Sequence, residues 1–252
     1  MDEKQDIIPG CFLYEQIRTG DRTLNIIKVT DHVYFYPPED IKDRPMLGYI
    51  EGDKYSLAVD GGFSPAHVGE FYEALEHSGL KEPDYTALTH WHWDHTLGLC
   101  AVSGKIICEK RTDDLLAEEN ERLADLSYQA ELKRGYSYVE DEFHNVEIPP
   151  IRRADIVFED HKELDLGSIK VNIFYTEAPH TPDTTLVYVP EERVLFAGDA
   201  PLGDFDNNGY MDRKKMTALA KTISGLDCDV VLLGHSGMIE KDRLVRWLEV
   251  KI

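Results

Sequence analysis

A chain of 252 residues with 48 acidic and 27 basic side chains has a formal charge of −21, so it repels phosphate backbones and anionic lipid. Nucleic acid and membranes are therefore not expected partners. At 42% hydrophobic it can bury a sizeable core, yet no apolar run is long enough to span a bilayer.

The first residues, Asp2-Glu3-Lys4-Gln5-Asp6, lack the basic start and apolar core of a signal peptide, which makes the cytoplasm the expected location. Residues 1–22 are polar, with Pro9-Gly10 and Thr19-Gly20 as breakers, and predict an irregular or short-helical extension. The run from Leu24 to Tyr36 alternates as strands do and ends at Pro37-Pro38-Glu39-Asp40. Residues 46–50 and 55–59 predict a hairpin around Glu51-Gly52-Asp53-Lys54. Ser64-Pro65 opens a helix as N-cap and first position, with Val68, Phe71, Tyr72 and Leu75 as its apolar stripe. His67 and His77 on that helix are expected in solvent. Strands at Tyr85–Leu88 and Lys105–Cys108 follow.

A helical insertion is expected over about 109–150. Thr112 to Gly135 reads as one long amphipathic helix or two broken ones, serving as a pocket cap or wall, or as the contact of a homodimer. A second strand series covers 156–158, 163–166, 169–176, 185–189 and 193–197, with His161 in a polar turn. Helices at Lys214–Ile223 and Asp242–Val250 flank a strand at Val230–Leu233. Cys11, Cys100, Cys108 and Cys228 show no paired spacing and read as free thiols. Two strand series bracketed by helices predict an α/β chain, one domain over 1–252: two mixed β-sheets face to face with helices outside, a four-layer αβ/βα sandwich.

The densest chemistry lies in Thr89-His90-Trp91-His92-Trp93-Asp94-His95-Thr96. On extended backbone, positions two apart share a side, so His90 and His92 can reach one ion. Asp94 and His95 are adjacent and must diverge, which suits a turn offering ligands to a second ion. Burying these groups without partners would cost roughly 1–3 kcal/mol for each one left unpaired. Three later apolar runs each lead to one more ligand type: His180 in Pro179-His180-Thr181-Pro182, Asp199 after Gly198, and His235 after Gly234. Strand ends converging on one sheet edge are where α/β proteins build sites.

In this order, His90-x-His92-x-Asp94-His95, His180-Thr181-Pro182, Gly198-Asp199 and Gly234-His235 resemble the metallo-β-lactamase-fold hydrolases, over about residues 26–248. The resemblance implies that His90, His92 and His180 hold one divalent ion and Asp94, His95 and His235 a second. Asp199 would bridge them, and zinc is the expected metal, with manganese or iron as substitutes. It makes Asp94 and Asp199 the catalytic carboxylates, with Asp199 also able to hand a proton to the leaving group. It gives Asp60 the role of orienting a ligand histidine, although a turn Asp before Gly61-Gly62 reads equally well. It places the loop 37–45 near the site.

Such a pair of ions would deliver a bridging hydroxide to an ester, thioester, lactone or phosphodiester of a small substrate. A carboxylate at 199 points to the glyoxalase II-like, general hydrolase branch, since true β-lactamases of the family carry another residue there. Leu202, where homoserine-lactone lactonases have tyrosine, weakens the lactonase reading. The alternative is a sulfur dioxygenase of the same fold, with a single iron on His90, His180 and Asp199. The loop 203–210, with Phe205, Asp206 and Tyr210, is expected to border the pocket. Trp91 and Trp93 read first as core residues, with Trp93 the better candidate for the cleft.

Overall fold

Strands β1 (Ile27–Lys28), β2 (Val33–Tyr36), β3 (Leu47–Glu51), β4 (Ser56–Val59), β5 (Tyr85–Ala87), β6 (Lys105–Glu109) and β7 (Ile156–Phe158) lie side by side in chain order. The first four pair antiparallel, and β4 to β7 pair parallel. The second sheet has the order β13-β12-β11-β10-β9-β8, built from β8 (His161–Asp165), β9 (Lys170–Tyr175), β10 (Thr185–Val189), β11 (Val194–Gly198), β12 (Val230–Leu233) and β13 (Gly237–Glu240). Only β11 and β12 pair parallel there. The structure, a computed structural model, describes residues 25–251. The expected extension over 1–22, with Cys11, lies outside the described residues.

Alternation along each strand builds the layers. Val194 and Phe196 turn inward against Val33, Phe35, Ile50, Val59 and Ile107 of the first sheet. Leu195 and Ala197 turn outward onto helices α6 (Arg213–Gly225) and α7 (Lys241–Lys251) through Met216, Leu219, Ile223, Leu244 and Leu248. The outer face of the first sheet is covered by α1 (Pro65–His77), through Phe71 and Leu75, and by the insertion. The result is two mixed sheets between helical layers, an α/β sandwich.

Several features differ from the sequence expectation, among them His161, which opens β8 rather than sitting in a turn. The insertion is three helices, α3 (Lys110–Leu123), α4 (Leu126–Gly135) and α5 (Ser137–Glu142), after the short α2 (Trp93–Thr96). Asp125 caps α4 by accepting the Ser127 N–H, which breaks the long amphipathic run. Strand β7 belongs to the first sheet, where it pairs with β6, because the insertion returns the chain to the edge it left. Strand β13 carries too short an apolar run to be read from pattern, and it pairs with β12. His67 is fully buried rather than solvated. Ser64 Oγ accepts the His67 N–H and the imidazole Nδ1 accepts the Phe63 N–H at 3.2 Å, so the ring acts as a second cap at the start of α1. Burial holds this imidazole well below its usual pKa, hence neutral.

Arg44 joins the loop 37–45 to two helices. Its guanidinium donates to Glu142 of α5 through Nε at 2.5 Å and Nη2 at 3.1 Å. Nη1 reaches Glu39 at 2.9 Å and Glu70 of α1 at 3.0 Å. Glu142 also accepts from Ser64 Oγ at 2.5 Å. The Arg44 and Glu142 side chains are each 4% exposed, so removing one strands a buried charge. Arg44→Met is expected to cost about 3–5 kcal/mol in the denaturant midpoint of the metal-free protein, and a loss below about 1 kcal/mol would show the hub to be dispensable.

Candidate metal centre

The sequence-predicted residues meet at one end of the sandwich, where strands of both sheets stop. β4 ends at Val59 and delivers Asp60, which is buried with φ 69°. β5 ends at Ala87 and leads through Thr89 to His90 and His92. The short helix α2 supplies Asp94 and His95 on separate sides. β9 leads to His180, β11 to Asp199, and β12 to His235. Backbone bonds hold these ends together: Thr185 N–H to Thr89 O (2.7 Å), Met46 N–H to Gly234 O (2.7 Å) and Gly234 N–H to Gly198 O (3.0 Å).

Two groups result. Nitrogens of His90, His92 and His180 lie within 4.8 Å of one another, as do the ligand-type atoms of Asp94, His95, Asp199 and His235. Asp199 touches both groups, with Oδ2 3.3 Å from His235 Nε2, 3.5 Å from His95 Nε2 and 3.8 Å from His180 Nε2.

Three of the rings are held from behind. His95 Nδ1 donates to Asp60 Oδ2 at 2.8 Å, leaving Nε2 for the centre. His180 Nδ1 donates to Gly203 O at 2.8 Å. Thr89 Oγ1 donates to Asp60 and lies 3.0 Å from His90 Nδ1, which makes His90 Nδ1 the donor and frees its Nε2. His92 presents Nδ1, 3.0 Å from His180 Nε2. Among the described residues, His90 Nε2 and Asp199 Oδ1 are buried and have no hydrogen-bond partner. Orphaned ligand atoms pointing at shared centres are what a divalent-cation site requires, so these residues fit one.

The protonation states divide the groups. Burial, helped by the neighbouring histidines, holds His90 well below its ordinary value. Burial, with His180 beside it, pushes His92 down to about 3. Burial also lowers His180, against the pull of Asp199. Burial alone would lower His95 and His235 too, but Asp94 and Asp199 outweigh it and raise both well above the ordinary range. Conversely, burial works against ionising Asp94 and Asp199, and His95 and His235 overcome it, holding both carboxyls well below their usual values.

The groups open into a cleft bordered by Trp91, Trp93, Tyr138, Phe205, Asp206 and Asp43. Both tryptophans therefore border the cleft, Trp91 included. Trp93 is fixed by α3: its Nε1 donates to Glu119 Oε1 at 2.8 Å, which also accepts from Tyr128. Tyr138 comes from α5, so the insertion forms one wall of the cleft. Asp43, Tyr138, Glu119 and the Arg44–Glu142 pair were not legible as site residues. Asp43 adopts φ 54° next to Arg44 and lies 3.8 Å from His235 Nδ1. Burial pushes its carboxyl up to about 7, against the opposing effect of His235. Only its place in the loop 37–45 hinted at this role.

Residues 47–235 match the family model described as Metallo-beta-lactamase superfamily. A Caenorhabditis elegans protein described as a beta-lactamase-like protein 2 homolog is 26% identical over 188 residues, 73% of this chain and 53% of its own length. The chain thus spans about half of that relative. The metallo-beta-lactamase type 2 of Elizabethkingia meningoseptica is 20% identical over 226 residues, 81% of this chain and 79% of that protein. The structure of a metallo-beta-lactamase from Pontibacter korlensis superposes with a TM-score of 0.65 at 16% identity, covering 90% of this chain and 99% of that one, which speaks for the fold.

Two outcomes follow from the geometry. His95 and His235 are held protonated in the metal-free chain and the other three histidines neutral, so a cation entering the second group displaces protons and one entering the first does not. Calorimetry in buffers of different ionisation enthalpy should find about two protons released at one binding step and near none at the other. A raised pKa lets protons compete up to higher pH, so the second group should lose its ion first on acidification, and equal release at both steps would contradict the assignment. A Cβ at Gly234 would lie 2.2 Å from Asp199 Oδ1 and 3.1 Å from His95 Cε1. Gly234→Ala should therefore lower metal occupancy of the second group, read by elemental analysis, with the fold intact by circular dichroism.

Proposed function

The chain belongs to the metallo-beta-lactamase superfamily, and from that premise we propose that it is a dinuclear metal-dependent hydrolase acting on a small-molecule ester, thioester, lactone or phosphodiester, with zinc as its resident metal. The observation that carries this reading is Asp199, whose Oδ2 lies within 3.8 Å of nitrogens from both ligand groups. A carboxylate in that place can tie two ions together. His90, His92 and His180 would hold one ion, and Asp94, His95, Asp199 and His235 the other.

Bound there, the ions would lower the pKa of a shared water and polarise the scissile oxygen of the substrate. The remaining work falls to the chain. Asp60 and Gly203 O hold the His95 and His180 rings by Nδ1, so the Nε2 of each already faces inward. In the metal-free chain His95 and His235 keep Asp94 and Asp199 ionised, so both are ready to act as charge and ligand. Trp91 and Trp93 narrow the approach and limit bulk solvent over His92.

A single iron on His90, His180 and Asp199 would give the dioxygenase instead. It would leave Asp94, His95 and His235 converged with no task, and the completeness of that second group favours two ions. Elemental analysis of freshly purified protein should find about two zinc ions per chain. About one iron per chain, with oxygen uptake on a persulfide, would overturn the hydrolase reading. Asp199→Ala should cut kcat/KM by more than the roughly 10–100-fold typical of losing an outer partner, and should lower metal content with it. Full activity in that variant would remove the bridging role.

A further inference from the structure

Resting on the hydrolase reading, we infer that the cleft takes substrates whose non-reacting group is uncharged and aromatic or apolar, and turns away those whose non-reacting group is anionic. The first ground is a run of packed rings from three separate segments, of which Trp93 and Phe205 border the cleft and Tyr136 packs against both. Trp93 lies between the ligand residues His92 and Asp94, Tyr136 joins α4 to α5, and Phe205 follows Asp199 in the loop 203–210. Their centroids are 5.3 Å (Trp93–Tyr136), 5.9 Å (Tyr136–Phe205) and 6.4 Å (Trp93–Phe205) apart. Rings this close are packed on one another, so they form a continuous face rather than a cage around a cation. The face reaches the reacting end, since Phe205 lies 5.6 Å from the ring of His92. Phe205 nevertheless stays 41% exposed. One exposed apolar side chain means little alone, but this one is the open end of a wall that starts at the ligands.

The second ground is charge. Among the described residues bordering the cleft there is no Lys or Arg, while Asp43 and Asp206 stand at its sides. Recognition of a carboxylate, phosphate or sulfate is built on Arg forks or Lys. The nearby guanidinium of Arg44 is held by Glu39, Glu70 and Glu142. Arg122 faces Glu119, behind Trp93, at 3.6 Å. An anionic group remote from the scissile bond would meet the Asp206 carboxylate and ring faces, whose quadrupole is also negative. The formal charge of −21 adds to this at longer range. A neutral aryl or alkyl group instead displaces water from the ring wall and pays no charge penalty.

Three 4-nitrophenyl esters with one leaving group decide the matter on zinc-loaded enzyme: the acetate, the phenylacetate and a phenylacetate with a para carboxylate. We expect kcat/KM for the neutral phenylacetate to exceed that for the carboxylate analogue by about tenfold or more at low salt. Asp206→Lys should narrow that gap, and Phe205→Ala should shrink the advantage of phenylacetate over acetate. Equal turnover of the neutral and anionic esters, or ratios unmoved by both substitutions, would overturn the inference. Should none of the esters react although two ions are bound, the ester part of the hydrolase reading falls and binding decides separately. Quenching of tryptophan fluorescence by phenylacetamide, and not by its para-carboxylate, would sustain the inference. Equal quenching would end it.

Discussion

Asp60 is 4% exposed, and both its oxygens are turned on the His90–His95 segment. Oδ1 accepts the Thr89 N–H at 2.8 Å, both oxygens lie 2.9 Å from Thr89 Oγ1, and Oδ2 accepts from His95 Nδ1 at 2.8 Å. One carboxylate at the end of β4 thereby fixes the strand exit at Thr89, the orientation of the His95 ring and, through the Thr89 hydroxyl, the tautomer of His90. Asp60 adopts a left-handed backbone to do so, a conformation Asp tolerates better than most residues. The cost of such a residue is of order 1–3 kcal/mol, and the three donors it collects offset it. Close approach of the other loops completes the seat. A Cβ at Gly198 would strike Thr89 Oγ1 at 2.6 Å, so the missing side chain lets Thr89 and Asp199 share one edge.

Charge balance explains how so many polar groups can be buried together before any ion arrives. The second group contains two carboxylates and two imidazoles that titrate toward each other, so it folds as compensated pairs: His235 Nε2 lies 2.9 Å and His95 Nε2 3.1 Å from Asp94 Oδ2. The first group has three histidines and no acid of its own, and burial keeps them uncharged. The two halves of the centre are therefore unlike in electrostatics although adjacent in space. A cation would replace protons in one and fill an uncharged hollow in the other.

Most of this centre was legible because its chemistry is local in sequence. Four ligand types in six residues, from His90 to His95, cannot be mistaken for surface decoration, and His180, Asp199 and His235 each follow an apolar run that stops at one edge. The sandwich was legible from the same runs, because strands buried on both faces read as continuous apolar stretches. What escaped was set by partners distant in sequence. His67 looks like any polar residue on a helix, and only the Phe63 N–H pointing at it explains its burial. Asp43 carries no signal of its own, since its place beside His235 is decided by Arg44 reaching Glu142, 98 residues away. The edge pairing of β7 depends on where a three-helix excursion returns the chain, which no window of periodicity can see.

That excursion gives the insertion a role that amphipathicity alone could not assign. Its buried face packs on the outer side of the first sheet through Leu116, Leu123, Leu132, Val139 and Phe143, alongside Leu88, Ile106 and Cys108, which supplies its stability. Two of its acids then point at the centre from opposite sides, Glu119 on the indole of Trp93 and Glu142 on Arg44. Both act one residue away from a group that faces the cleft: Trp93 precedes Asp94, and Arg44 follows Asp43. Carboxylates buried this deeply persist where they hold several donors at once, and each of these does. The helices therefore do more than cover the sheet: they fix the side chains on either flank of the ligands, so a change of sequence in α3 to α5 can reshape the cleft while the strands that carry the ligands stay where they are.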